Sequence, residues 1–176
     1  KGGLVFTDPR HAGLGARAIL PREADVGEAG DEEMRRRFDI KRIQLAVPDG
    51  SRDLQVGKAL LMESGFDELH GVDWQKGCYV GQELTARTKY RGLVKKRLIP
   101  LECPEGELRP GDRITIDGKE AGEIAGVSGH WGLALVRLER LRQSVERKLP
   151  LQCNGKTLLP HLPDWLALDA GTDSAE

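Results

Sequence analysis

The spacing of apolar positions changes character along the chain. Gly3-Leu4-Val5-Phe6-Thr7 reads as a strand that runs into a turn at Asp8-Pro9-Arg10. Ala16 to Leu20, ended by Pro21, reads as a second strand, and Glu23 to Asp31, rich in glycine and acids, as a loop. Asp31 is an N-cap, and Glu32 and Glu33 favour the first turn of the helix that follows. That helix is expected to run to about Ala46 with Met34, Phe38 and Leu45 on one face, and to stop at Pro48-Asp49-Gly50. Gln55 to Met62 is mildly apolar without a dominant period, so helix and strand both remain open there. A polar stretch leads to Gly71-Val72-Asp73-Trp74, and Gln82 to Thr88 is a candidate short helix.

From Leu93 onwards the period shortens towards two. Leu93 to Leu101 is extended, Arg113 to Ile116 alternates, and Asp117-Gly118 signals a hairpin leading into Ala121 to Val127. Ser128-Gly129 turns the chain again before Trp131 to Val136. Arg137 to Arg147 is charged and fits a partial helix or a loop. Leu151 to Leu158 forms a strand pair around Asn154-Gly155, and Asp169 to Glu176 has the composition of a disordered tail. The expected fold class is α+β: a mainly helical segment with strands over residues 1–90, a small antiparallel barrel or sandwich over 91–168, and a tail over 169–176.

Composition narrows the function. With 176 residues the chain suits one or two domains, and with 5% aromatics its core must be aliphatic. The net charge of −1 lacks the basic excess of a general nucleic-acid binder. Cys78, Cys103 and Cys153 are odd in number and form no C-x-x-C pair, so no all-protein metal site is expected. Reduced thiols and a cytoplasmic address are expected instead. No apolar stretch approaches the roughly 20 residues that span a bilayer, so no membrane partner is expected. The chain opens at Lys1 straight into a strand, which predicts a further region upstream.

Cys78 carries the most chemistry. It lies between Gly77 and Gly81, ahead of a helix, with Lys76 and Arg87 near in sequence. Helix N-termini and cations stabilise thiolates, and glycines permit positive φ. Gln82 and Glu83 add acceptors. The same residues also describe a small buried cysteine in a tight turn. His11, His70, His130 and His161 show no ligand spacing, and Trp74 and Trp131 read as packing residues. The basic run Lys89 to Arg97 fits either a nucleic-acid contact or a solvated strand edge, the latter being the expectation.

Lys76-Gly77-Cys78-Tyr79-Val80-Gly81-Gln82-Glu83-Leu84-Thr85-Ala86-Arg87 resembles the signature K-G-C-[YF]-x-G-Q-E-x-x-A-R of YgfZ-type folate-binding proteins. That branch lies within the superfamily of the glycine-cleavage T-protein, a folate-dependent aminomethyltransferase. Asp8-Pro9-Arg10 with Leu14-Gly15 resembles the family's D-P-R…L-G segment. Arg42-Ile43 through Pro48 resembles R-I-x-x-G-[IV]-P, with Ala46 in place of the usual glycine, and Gly132-Leu133-Ala134-Leu135 resembles its barrel motif G-x-A-L.

The resemblance implies a tetrahydrofolate-binding accessory factor for iron–sulfur enzymes, including radical enzymes that modify tRNA. Its partners would be folate and iron–sulfur client or assembly proteins, with no direct nucleic-acid contact. The address would be cytoplasmic, or the mitochondrial matrix in a eukaryote. Alternatives are a folate-dependent aminomethyltransferase or other one-carbon transferase, and a plain interaction module. Cys78 would be the reactive or cluster-handling thiol, sharing any cluster with another thiol or protein. Lys76, Gly77, Tyr79, Gln82, Glu83 and Arg87 would bind cofactor, and no residue would form a metal site. Leu60-Leu61-Met62-Glu63-Ser64 resembles the L-x-x-E-[AS] context whose glutamate meets the pterin, because a carboxylate presents two acceptors to adjacent N–H donors. Taken alone, Glu63 would be a surface acid at a helix end.

Overall fold

A computed structural model of the chain describes residues 2–25 and 31–166. The expected tail lies outside the described residues, as does part of the expected loop from Glu23 to Asp31. The first two strands, β1 (Leu4–Thr7) and β2 (Ala16–Ile19), pair with each other as an antiparallel hairpin. Asp8 closes it. Its buried carboxylate accepts from the Arg10 backbone N–H at 3.0 Å, from Arg10 Nη2 at 2.8 Å and from Arg17 Nε at 2.7 Å. The Asp8 N–H donates to Gly15 O at 2.9 Å. The D-P-R…L-G segment is therefore a hydrogen-bonded clamp.

Helix α1 (Glu32–Gln44) starts at Asp31, whose side chain accepts from Met34 N at 2.8 Å. Its end differs from expectation. Ala46 sits at φ 54, the Val47 N–H donates to Arg42 O, and the Ala46 N–H donates to Ile43 O. This is a Schellman stop with alanine in the position that glycine usually takes, and Pro48 lies just beyond it. The buried face also differs. Met34 and Phe38 are exposed, whereas Arg42, Ile43, Ala46 and Val47 are buried. The start of α1 stands in solvent and its C-terminal part meets the rest of the protein, with Asp39 bonded to Arg52 and Ile43 packed on the barrel, so burial follows that contact and not the apolar stripe.

A four-residue helical turn, α2 (Gly50–Asp53), follows. Buried Asp53 pairs with buried Arg42 and accepts from Asp49 N at 2.7 Å. Gln55 to Met62 is neither helix nor strand; residues 55–70 run largely as successive turns. These turns are tied to the barrel: the Leu98 N–H donates to Glu63 O at 2.9 Å, and Arg97 donates to Met62 O at 2.8 Å and pairs with Glu68. Arg97 is therefore buried, and the end of the basic run is a strut where a solvated strand edge was expected. Helix α3 (Gln82–Tyr90) completes this half.

The second half is a closed six-stranded antiparallel barrel, ordered β3-β6-β5-β4-β7-β8. Its strands are β3 (Lys96–Glu102), β4 (Arg113–Ile116), β5 (Lys119–Ser128), β6 (Trp131–Arg137), β7 (Leu151–Cys153) and β8 (Lys156–Pro160), and β8 closes onto β3 with Leu101 opposite Pro160. Two of the barrel's two-residue hairpins place both residues at positive φ, Asp117 at 52° with Gly118 at 69°, and Asn154 at 50° with Gly155 at 78°. Those values match the right-handed twist of the flanking strands. Ile99, Leu101, Ile114, Ile124, Ala134 and Val136 fill the interior. The outer faces of β3 and β6 are also covered, as Leu98 and Leu133 pack on Ile43 and Ala46. Burial on both faces explains why these two strands are nearly continuous in apolar residues. Arg137 to Arg147 resolves as helix: α4 (Leu138–Arg147) buries Leu138, Leu141 and Ser144. Trp165 ties the C-terminal segment back to α1 through a 3.0 Å bond from Nε1 to Leu45 O.

Candidate functional site

The Cys78 loop is built from backbone constraints. Asp73 Oδ1 accepts from Gln75 N at 2.8 Å and from Lys76 N at 3.2 Å, which turns the chain into the loop. Gly77 at φ 90 and Gly81 at φ 86 bracket the cysteine in left-handed conformations. A Cβ at either glycine would meet nothing within 4 Å, so conformation and not space requires glycine there. The Tyr79 N–H donates to Gln82 Oε1 at 3.3 Å, tying the loop to the first residue of α3.

Cys78 is exposed, so the reading of a buried turn cysteine does not hold. Of the cations expected around it, Lys76 lies over the Tyr79 ring with Nζ 4.9 Å from the centroid, and Arg87 pairs with Glu83 at 3.1 Å on the exposed face of α3. The start of α3 remains as a source of positive potential. Cys103 and Cys153 are buried in the barrel, where burial pushes the Cys153 thiol up. Among the described residues no group of three or more His, Cys, Asp or Glu side chains is placed to hold a metal ion.

Glu63 lies elsewhere, in the wall of a cavity of about 540 Å³ between the 52–64 segment and strands β5 and β6. That volume falls in the range of small-molecule sites, roughly 300–1,000 Å³. Burial raises the Glu63 carboxyl above its ordinary value, opposed by the charge and the backbone N–H of Lys96. Arg52, Lys58 and Lys96 bring cations to the same cavity, while Leu54, Leu98 and Leu135 supply apolar wall. Its lining offers a carboxylate to N–H donors and the cations Lys58 and Lys96 to anionic groups, with Glu123 as a second acid. In that respect the cavity fits a folate.

A second cavity, of about 230 Å³, lies between residues 59–62 and the start of α3 and shares Ala59 and Leu60 with the first. Tyr79 lines it, and the Tyr79 hydroxyl is buried without a hydrogen-bond partner. The predicted residues are thus divided: Glu63 in the larger cavity, Tyr79 in the smaller, and Lys76, Gly77, Cys78, Gln82, Glu83 and Arg87 in the walls of neither. Sequence reasoning missed Lys96, whose role as the partner of Glu63 was hidden inside a basic run. It also missed the apolar groove beside Cys78, whose walls come from distant segments.

Residues 95–168 match the family model described as CAF17, C-terminal beta-barrel domain, so the barrel is of that class. The chain as a whole is similar to "Iron-sulfur cluster assembly factor IBA57, mitochondrial" of Mus musculus, at 35% identity over 92% of this chain and 47% of the relative. The Homo sapiens protein of that name is 34% identical over the same shares. "Iron-sulfur cluster assembly factor IBA57 homolog, mitochondrial" of Neurospora crassa is 39% identical over 53% of this chain and 22% of the relative. The chain spans about half the length of the mouse and human relatives. These relatives are iron–sulfur assembly factors; none of the three bears the YgfZ name that the signature pointed to.

Proposed function

We propose that this chain is part of an accessory factor for the assembly or repair of iron–sulfur enzymes, with Cys78 as its working thiol. One observation carries the reading: the signature loop presents Cys78 in the open, four residues ahead of α3, on a backbone that two left-handed glycines hold in shape. An exposed thiol so placed is suited to nucleophilic exchange or transient ligation. A cluster would be cargo shared with a second protein's ligands, because Cys78 has no companion ligands in this chain among the described residues. Relatives named as iron–sulfur cluster assembly factors support the role, and their names favour the mitochondrial form of the expected address over the cytoplasmic one. Client enzymes would include radical enzymes that modify tRNA.

The same reading includes a tetrahydrofolate-class ligand in the Glu63 cavity. Glu63 would accept from the pterin N–H groups, and Lys58 would face the ligand's carboxylates. When bound, the tetrahydrofolate would supply a reduced, oxidisable pterin and a one-carbon carrier. Gly77 and Gln82 would serve by shaping the Cys78 loop, and Lys76, Tyr79, Glu83 and Arg87 by forming its surroundings.

Replacing Cys78 with Ser in the full-length protein is expected to abolish activation of a dependent [4Fe–4S] enzyme in cells; undiminished enzyme activity removes the thiol from the mechanism. Calorimetry with tetrahydrofolate tests the ligand. Binding to the wild type that weakens about tenfold or more in Glu63→Gln supports the pocket, and absence of heat in both supports a plain interaction module.

A further inference from the structure

The surface beside Cys78 combines features that neither packing nor folate binding uses. The smaller cavity is an apolar groove whose rim exposes Leu60, Leu61, Val80 and Leu84, with Val80 fully in solvent at 103%. The exposed large apolar residues Leu93 and Tyr90 lie at the far end of α3. In the groove wall the Tyr79 hydroxyl is buried and unpartnered, a group that costs about 1–3 kcal/mol until something bonds to it.

Charge is concentrated here too. From Lys76 to Arg97 the chain carries seven Lys or Arg residues (Lys76, Arg87, Lys89, Arg91, Lys95, Lys96, Arg97) against one acid, Glu83, in a protein whose net charge is −1. Several are neutralised within the chain: Arg87 by Glu83, Lys89 by Asp67 and Arg97 by Glu68. Lys76 and Arg91 are exposed and form no ion pair among the described residues. Lys76 lies over the ring of Tyr79, which lines the groove, and Arg91 follows Leu84 and Thr88 at helical spacing at the end of α3.

We propose that this groove is the docking site for an acidic segment of a partner protein, anchored by one apolar side chain in the cavity. Acidic residues facing Lys76 and Arg91 complete the contact. The surface deepens the reading of Cys78 above and rests on it for its purpose, since it would hold the partner's ligands beside the exposed thiol. Charge complementarity selects the occupant. Nucleic acid is disfavoured because the groove is apolar and the protein carries a net charge of −1.

The test places a photo-crosslinking amino acid at Val80 of the full-length protein in cells and identifies the crosslinked peptide. The captured protein is then purified and titrated by calorimetry at low and at physiological salt. Support requires a crosslinked segment with net negative charge. It also requires an affinity that falls about tenfold with Leu84→Glu or with the pair Lys76→Glu and Arg91→Glu, and recovery when the segment's acids are changed to Lys. Crosslinks to RNA alone, to a second copy of this chain or to nothing overturn the proposal, as does a protein contact insensitive to salt and to both variants. Cys78→Ser separates the two readings. Docking that survives Cys78→Ser while Leu84→Glu abolishes both docking and enzyme activation supports the groove. Enzyme activation lost in Cys78→Ser but intact in Leu84→Glu overturns the groove and leaves the thiol's role standing.

Discussion

The barrel and the stretch from Leu54 to Leu93 draw on the same aliphatic residues and use them in opposite ways. In the barrel, Ile99, Leu101, Ile114 and Leu133 are wholly buried, and ladder bonds join each strand to two neighbours. Between Leu54 and Leu93, α3 is the only regular element among the described residues, and Val56, Val80 and Leu84 stand in solvent. A closed barrel has no edge left to pair, and α1 covers the outer faces of β3 and β6, so most of its apolar residues serve stability. The turn-rich segment buries Met62 and Leu69 but leaves other apolar residues exposed; it carries the thiol, walls the smaller cavity and shares the larger one with β3, β5 and β6. Scaffold and working surface are thus distinguished by closure and not by composition.

The contrast breaks most visibly in the core. Leu133→Ala, on the outer face of β6 against Ile43 and Ala46, is expected to cost about 3–5 kcal/mol in urea unfolding. The chemically similar Leu84→Ala in exposed α3 should stay within about 0.5 kcal/mol. Equal losses would show that the two regions are not energetically distinct. The seam between the halves comes next. Arg42→Met strands the buried Asp53 carboxylate, and a loss of about 3 kcal/mol is expected. A loss below about 1 kcal/mol would mean that Asp53 finds water or another donor.

The β1–β2 hairpin is sharpened by pH. Hydrogen bonds from the Arg10 side chain, then from its backbone N–H and from Arg17, hold the Asp8 carboxyl well below the ordinary carboxylate range. A depressed folded value means that the stabilisation is complete above the unfolded value of about 4 and disappears as pH falls through the folded value. Asp8→Asn should therefore cost about 1–2 kcal/mol at neutral pH and flatten the acid limb of the stability profile below about pH 4. An unchanged profile would assign the acid sensitivity to other carboxylates.

The smallest effect is expected at Ala46. Glycine there removes left-handed strain of about 1 kcal/mol, but gives up a buried methyl of about 0.8 kcal/mol and some backbone entropy. Thermal unfolding of Ala46→Gly should move by less than the equivalent of about 1 kcal/mol; a larger gain would show that the helix stop is more strained than its Schellman bonds imply.

What was legible follows from where the determining interactions lie. Asp117-Gly118 and Asn154-Gly155 announced their hairpins because both residue pairs tolerate positive φ unaided. Asp31 announced α1 because capping is local. The end of α1 was misread because alanine does not advertise a left-handed stop, and its buried face because the barrel selected Ile43 and Ala46 over Met34 and Phe38. Gln55 to Met62 was ambiguous for a related reason. The fold of that stretch depends on bonds from Arg97 and Leu98, the first of them 35 residues from its partner Met62.

The candidate site divides along the same line. The sequence alone determined the Cys78 loop, since two glycines, a helix start and a cysteine within five residues need no distant partner to define their geometry. It also determined the alternation that makes a barrel. Only the tertiary structure decided that Cys78 is exposed, that Glu63 lies in a different cavity beside Lys96, and that Tyr79 keeps a buried hydroxyl in an apolar groove. Exposure and cavity shape depend on which segments are brought together, and long-range packing, unlike a turn, leaves no short signature along the chain.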